Sequence, residues 1–317
     1  MSVRANIDKD YRDKLKTVTY MFAGLNNVLD PYNLLIEKGF VPYVDNIDID
    51  NTNSISLRTG YTSVVSGATK HSGWSNNHRS FYVDGVYLKE FNGSTEIIID
   101  VVTANRRMYY CQVNEVIAYS NGIEWGFIGG SDVQRKVFSP YFKENTQLGI
   151  YLEFYNGRVY HFVNSTLYCT DMFDVAHTDI RFRRVGTFRA AGTAIKAVED
   201  GIWVGTQDQI HFLRGNDLQE GGFDLEVIAN YGIIPGTDIT TTGEYIPESK
   251  SQGRVIIFTT PRGICTGGAN GVFVNHSLNI VSLPEATWGS AMLRDINGIR
   301  QYVVTLDSET PYNKYVD

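Results

Sequence analysis

The chain has 317 residues, 43% of them hydrophobic and 20% charged, which is enough apolar material for a sizeable core and excludes a disordered chain. Its net charge of −7 argues against wrapping nucleic acid, because that takes clustered lysine and arginine at the phosphates; a smooth acidic wall that DNA slides past remains compatible. The 20 Tyr, 16 Phe and 30 Gly against 8 Pro are a sheet composition, since aromatics suit pleated surfaces and glycine supplies the positive φ of tight turns.

Residues 1–38 are the least sheet-like segment. Charge-rich Asp8-Lys9-Asp10 and Arg12-Asp13-Lys14 precede the apolar stretch FAGLNNVLDPYNLL, which predicts an N-terminal arm or short helix that docks on a neighbour. No apolar run reaches the length of a membrane span and the first residues lack a signal-peptide core, so the expectation is assembly in the cytoplasm.

Residues 39–317 read as one all-β unit. VPYVDNIDIDNTNSISLRTGYTSVV (41–65) alternates apolar and polar residues about an Asn/Thr turn, the period-two mark of a half-buried hairpin. After it, a strand–turn–strand unit recurs: FYVDGVYLKEF (81–91), YCQVNEVIAYS (110–120), LEFYNGRVYHFV (152–163), KAVEDGIWVGT (196–206), FTTPRGICTGG (258–268) and LRDINGIRQYVVTL (293–306). The turn centres Gly85, Asn114, Gly157, Gly201, Gly263 and Gly298 are spaced by 29, 43, 44, 62 and 35 residues. Third strands follow some of these hairpins, as in QIHFLRGND and GVFVNHS. Units of this size that each form a small antiparallel sheet predict a β-propeller of five or six blades behind the N-terminal arm; a β-sandwich is the competing all-β architecture.

Little in the chain points to chemistry. The run Asp45 to Asn53 is the densest set of oxygen ligands, but it lacks the glycine and distant glutamate of an EF-hand and reads as a solvated hairpin face. The six histidines show no helical metal spacing, and no GxSxG, P-loop, GxGxxG or SxxK motif is present. Cys111, Cys169 and Cys265 are far apart and read as small buried hydrophobes. Asp84, Glu115, Glu153 and Asp200 are the carboxylates that a propeller glycosidase would draw on, without a distinguishing context. A non-enzymatic protein without cofactor or metal is therefore expected. Basic residues cluster at Arg106-Arg107 and at Arg181, Arg183 and Arg184, the latter interleaved with Phe182; in an acidic chain these predict contacts between subunits.

Three segments carry a resemblance. They are Phe40 to Asp50 with Ser54 to Tyr61; Gly201-Ile202-Trp203-Val204-Gly205 through Gln209 to Leu213 with Gly232 to Thr237; and Val255 to Ile264 with Gly268-Ala269-Asn270-Gly271. Together they resemble bacteriophage tail and neck β-propeller proteins, the hub, nozzle or packaged-DNA stabilisation proteins of short-tailed phages. The resemblance implies a structural virion protein that forms a ring, commonly of six copies, below the portal–adaptor, retaining the genome and conducting DNA at ejection without binding it specifically. Six copies at −7 each would bring −42 to such a ring, favouring repulsion of DNA from an acidic lumen. The alternatives are a carbohydrate- or receptor-binding tail propeller, stacking sugars on Trp74, Trp125, Trp203 and Trp288, and a propeller glycosidase.

Overall fold

The computed structural model describes residues 24–28, 39–43, 47–49, 55–58, 67, 69–76, 78–129, 142–216, 222–246, 249–296 and 299–307. Most of the expected N-terminal arm and most of the Asp45 to Asn53 run lie outside them. By contacts the chain divides into two compact units, a smaller one of Met1–Tyr61, Asn279–Ser282 and Asn313–Asp317 and a larger one of Thr62–Leu278 and Leu283–Tyr312.

In the smaller unit β1 (Gly24–Leu25) pairs in parallel with β2 (Phe40–Val41), and β3 (Ile47–Ile49) forms an antiparallel hairpin with β4 (Ile55–Leu57), in register Ile47 to Leu57. The predicted period-two hairpin is present at that point. Asp48 meets Arg58 at 3.5 Å, so this aspartate faces a cation of its own hairpin. Buried Asn27 joins distant chain segments, its amide donating to the Ser282 carbonyl (3.0 Å) and its side-chain oxygen accepting from the Ser282 N–H (2.7 Å).

The larger unit is a series of small antiparallel sheets, and the described residues contain no α-helix. Sheet 1 is the meander β5 (Lys70–Ser75), β6 (Ser80–Asp84), β7 (Tyr87–Phe91) and β8 (Glu96–Val101); sheet 2 is β9 (Tyr109–Val113), β10 (Val116–Ser120) and β11 (Trp125–Ile128). After β12 (Lys143–Asn145), sheet 3 runs through β13 (Ile150–Tyr155), β14 (Arg158–Val163) and β15 (Thr166–Cys169) and, beyond β16 (His177–Asp179), ends in β17 (Arg184–Thr187); β12 and β16 pair with each other. Sheet 4 is β18 (Gly192–Val198), β19 (Gly201–Thr206), β20 (Ile210–Arg214) and β21 (Asp224–Ala229). Sheet 5 is β22 (Ile239–Thr242), β23 (Arg254–Thr260), β24 (Gly263–Gly267) and β25 (Phe273–Asn275), and sheet 6 is the long hairpin β26 (Gly289–Ile296) and β27 (Ile299–Leu306).

Turn chemistry sets the registers. Asn114 (φ 55°) and Gly85 (φ 60°) take the left-handed conformation that two-residue hairpin loops require, and Asn156-Gly157 (φ 44° and 81°) does so at both positions. The centre at Gly298 lies outside the described residues.

Consecutive sheets share cores. Phe81, Val83 and Leu88 of sheet 1 pack with Ile117 and Tyr119 of sheet 2, and Cys111 and Phe127 of sheet 2 pack with Leu152 and Val159 of sheet 3. Tyr160, Phe162 and Leu167 of sheet 3 meet Ile195 and Ile202 of sheet 4, whose Trp203 and Phe212 meet Ile256 and Phe258 of sheet 5. This explains why GIWVGT is buried throughout rather than alternating: β19 is central in sheet 4 and covered on both faces. All three cysteines are free and buried, as the sequence predicts.

Candidate functional site

The first strands of five sheets, and the residue that enters the first strand of sheet 5, converge on one cavity. Its floor, about 210 Å³, takes Trp74 from β5, Tyr110 from β9, Leu152 from β13, Lys196 from β18, Asp238 immediately before β22 and Ala291 from β26. Above it a wider cavity of about 780 Å³ shares Arg107, Tyr109, Tyr151 and Ser290 with the floor and adds His71, Ser72 and Trp288.

Lys196 fixes the floor. Its ammonium lies 3.1 Å from Glu153 and 3.4 Å from Asp238, and Glu153 also accepts the Ala197 N–H at 3.3 Å. Burial works against the ammonium, but the two carboxylates outweigh it and hold the Lys196 pKa above its ordinary value. This one cation ties β13 and β18 to the segment entering β22.

The wall is strained locally. Ser72 (φ 54°) and Tyr151 (φ 56°) are left-handed although neither is glycine or asparagine, and each sits at a register break of its inner strand, between His71 and Trp74 and between Ile150 and Glu153. Such residues cost ~1–3 kcal/mol each and persist where the surroundings over-determine them. At Ser72 the surroundings are visible: its Oγ accepts the Met108 N–H (2.9 Å) and bonds His71 Nδ1 (2.9 Å). The Ser72 hydroxyl can donate to Nδ1 or accept from it, and in either tautomer His71 Nε2 is buried and has no hydrogen-bond partner. Burial, and then the charge of Arg107, push the His71 pKa down.

Arg107 reaches from sheet 2 to sheet 6. Its NH1 donates to the Gly289 carbonyl at 2.8 Å, and its guanidinium covers Gly236 (φ 80°) so closely that a Cβ there would overlap it. Among the described residues Arg107 has no carboxylate partner. The Tyr109 and Tyr151 rings, 4.6 Å apart between centroids, lie beside it, and burial raises both phenol pKa values. Trp288 is 56% exposed at the rim.

The arginines expected at subunit contacts are divided between two environments. Arg107 belongs to the interior cavity just described, whereas Arg106 is exposed. Arg181, Arg183 and Arg184 lie together beside the β12–β16 pair, but much of their charge is matched within the chain. Arg181 forks onto Asp179 (3.0 and 2.6 Å) while covering the Phe142 ring at 4.2 Å, and Arg183 pairs with Glu144. Arg184 bonds the Thr187 hydroxyl (2.7 Å) and has no carboxylate partner among the described residues. Asp179 stands two residues before Arg181 in the sequence, whereas Glu144 is remote and is brought beside Arg183 by the fold.

The candidate carboxylates are separated and, where their contacts are resolved, engaged. Asp84 accepts from Lys89 (2.7 Å) and Thr69 (2.7 Å), Glu153 belongs to the Lys196 cluster, and Asp200 accepts the Asn270 N–H (2.8 Å). Glu115 stands exposed in the β9–β10 turn. No group of three metal-ligating side chains occurs among the described residues. Of the four tryptophans, Trp203 is fully buried and donates to the Gly268 carbonyl (3.0 Å), while Trp74 stacks on Tyr110 and Trp125 packs on Phe127. Trp288 alone of the four is exposed. The Arg107, His71 and Tyr151 site was missed by sequence reasoning, because its members come from three sheets; the one local signal is the Arg106-Arg107 pair.

No family model matches the chain, and no curated protein matches it. Among solved structures it is similar to the extracellular domain of a hybrid two-component system from B. thetaiotaomicron, with TM-score 0.49 and 12% identity over 79% of this chain; it spans 34% of that one, about a third of its length. It is also similar to Hsv2 of Kluyveromyces lactis (TM-score 0.40, 10% identity, 76% of this chain and 86% of that one) and to PorZ, a surface component of the Porphyromonas gingivalis type-IX secretion system (TM-score 0.30, 9% identity, 72% and 42%).

Proposed function

We propose that the larger unit is a β-propeller of six sheets and that the protein is a non-catalytic structural component, assembling as a ring in the tail or neck of a short-tailed phage virion. The observation that supports the propeller is the convergence on one cavity of five first strands and the residue that enters the first strand of sheet 5, with a shared core at each junction from sheet 1 to sheet 5. The virion assignment rests on the resemblance of the three sequence segments. In this reading the Lys196 cluster closes the centre of each copy, so DNA passes through a channel between copies.

The surface that fits a subunit contact is the one formed by Phe142, Ile180, Arg181, Phe182 and Arg184. Phe142, Ile180 and Phe182 are exposed apolar side chains set among arginines, the residue types that dominate association energies. Arg184 supplies the charge that an acidic second copy would meet. Electron microscopy and native mass spectrometry of the purified chain with portal–adaptor complexes test the assignment. A multi-copy ring coaxial with the portal supports it, and a persistent monomer that binds or cleaves glycans overturns it. Replacing Phe182 and Arg184 together by alanine is expected to weaken the ring without changing the β-sheet circular dichroism of the monomer.

A further inference from the structure

We propose that the 780 Å³ cavity walled by Arg107, His71, Tyr109, Tyr151 and Trp288 is a binding site for a small aromatic monocarboxylate. Its volume lies within the roughly 300–1,000 Å³ of small-molecule sites. The wall presents donors that lack acceptors. Arg107 uses NH1 on Gly289, which leaves Nε and NH2 as a planar fork matched to a carboxylate, and the guanidinium lies closely against Gly236. His71 adds a buried Nε2 without a partner, a state that normally costs stability and that, in the tautomer protonated at Nε2, an acceptor oxygen would relieve. Two strained inner-strand residues, Ser72 and Tyr151, hold this wall in place.

Charge selects a monoanion. The floor carries Lys196 against Glu153 and Asp238, one net negative charge, and Arg107 cancels it. A single carboxylate gains the guanidinium without strong repulsion from the floor, whereas a phosphate dianion meets Asp238 and Glu153 with a second charge. The remaining wall is aromatic. Tyr109 and Tyr151 flank the cation and exposed Trp288 stands at the rim, so a flat ring attached to the carboxylate has faces to stack on. The site does not depend on assembly into a ring and would be present in an isolated copy.

Naphthalene-2-carboxylate, naphthalene-2-carboxamide and inorganic phosphate, titrated into the purified chain by calorimetry and tryptophan fluorescence, test the inference. The carboxylate is expected to bind and to quench emission that is absent from a Trp288→Phe variant, with the neutral amide about tenfold or more weaker, the loss expected when one charge-assisted interaction is removed. Arg107→Met, checked for a wild-type melting profile, should erase the preference for carboxylate over amide. If that variant does not fold, His71→Phe and Trp288→Ala supply the same comparison through the other two walls. Equal binding of acid and amide, phosphate displacing the carboxylate at equal concentration, or quenching unchanged in all three variants would overturn it.

Discussion

At the scale of single residues, burial decides which side chains titrate. His161 lies within β14 at 4% exposure, and its Nδ1 accepts the Gly149 N–H at 3.0 Å, so the ring is neutral in the folded protein. Burial pushes its pKa down to about 4, against ~6.5 in an unfolded chain. The unfolded chain therefore takes up the proton first: the contribution is complete above pH ~6.5 and is lost as pH falls from there towards 4, by up to about 3 kcal/mol. His161→Gln keeps an acceptor for Gly149 but cannot ionise, so urea-unfolding free energies of the variant should fall less between pH 6.5 and 4 than those of the wild type. An identical slope in both would show that His161 is not the titrating group. The thiols follow the same physics, since burial pushes Cys265 up to about 12 and Cys111 higher still. A thiol reagent at pH 8 should accordingly label neither residue until the protein is unfolded, and labelling at native rates typical of exposed cysteine would contradict their placement.

Elements are held by close approach between sheets, and glycine makes that approach possible. A Cβ on Gly267 of β24 would stand 2.6 Å from Trp203, whose indole is locked by its bond to Gly268. Gly267→Ala is therefore expected to destabilise the protein by ~1–3 kcal/mol through overpacking, while Gly73→Ala, with nothing within 4 Å of the added carbon, serves as the control. Chemical denaturation of both variants measures the difference. The same elements show what was legible beforehand. Hairpin turns at Gly85, Asn114, Gly157 and Gly263 were readable because Asn and Gly mark positive φ wherever they stand. Their uneven spacing was misleading about the repeat. Gly85 and Gly263 turn the second strand of their sheets into the third, whereas Asn114, Gly157 and Gly201 turn the first into the second. Counted from the first strands, which begin at Lys70, Tyr109, Ile150, Gly192, Ile239 and Gly289, the repeat steps by 39, 41, 42, 47 and 50 residues. Inner strands such as KHSGWS and ITTT hid that phase, because they carry too few apolar residues to show a strand pattern. The Arg107 site was hidden for a related reason, as its donors are set by the convergence of sheets 1, 2, 3 and 6 and not by any local pattern.

For the whole molecule the decisive question is whether the six sheets close on themselves, and sheet 6 is where closure would occur. Its hairpin is tied to sheet 5, where the Tyr302 hydroxyl lies 2.9 Å from Thr259 Oγ1 and donates to the Thr237 carbonyl at 2.6 Å. On its other side the Gly289 carbonyl accepts from Arg107 of the segment entering sheet 2, and Ser290 shares the cavity wall with His71 and Ser72 of sheet 1. A closed ring and an open row of sheets respond differently to loss of this hairpin. In an open row each sheet depends on its chain neighbours, so removing residues 289–307 would loosen sheet 5 and leave sheet 1 unaffected. In a closed ring the same deletion removes a neighbour from both ends. Hydrogen exchange on the truncated chain should therefore show faster exchange in β5 and β6 as well as in β22 and β23, with β14 and β19, flanked by intact sheets on both sides, retaining most of their protection. Faster exchange confined to sheet 5 would favour the open row and remove the basis for a six-sheet propeller.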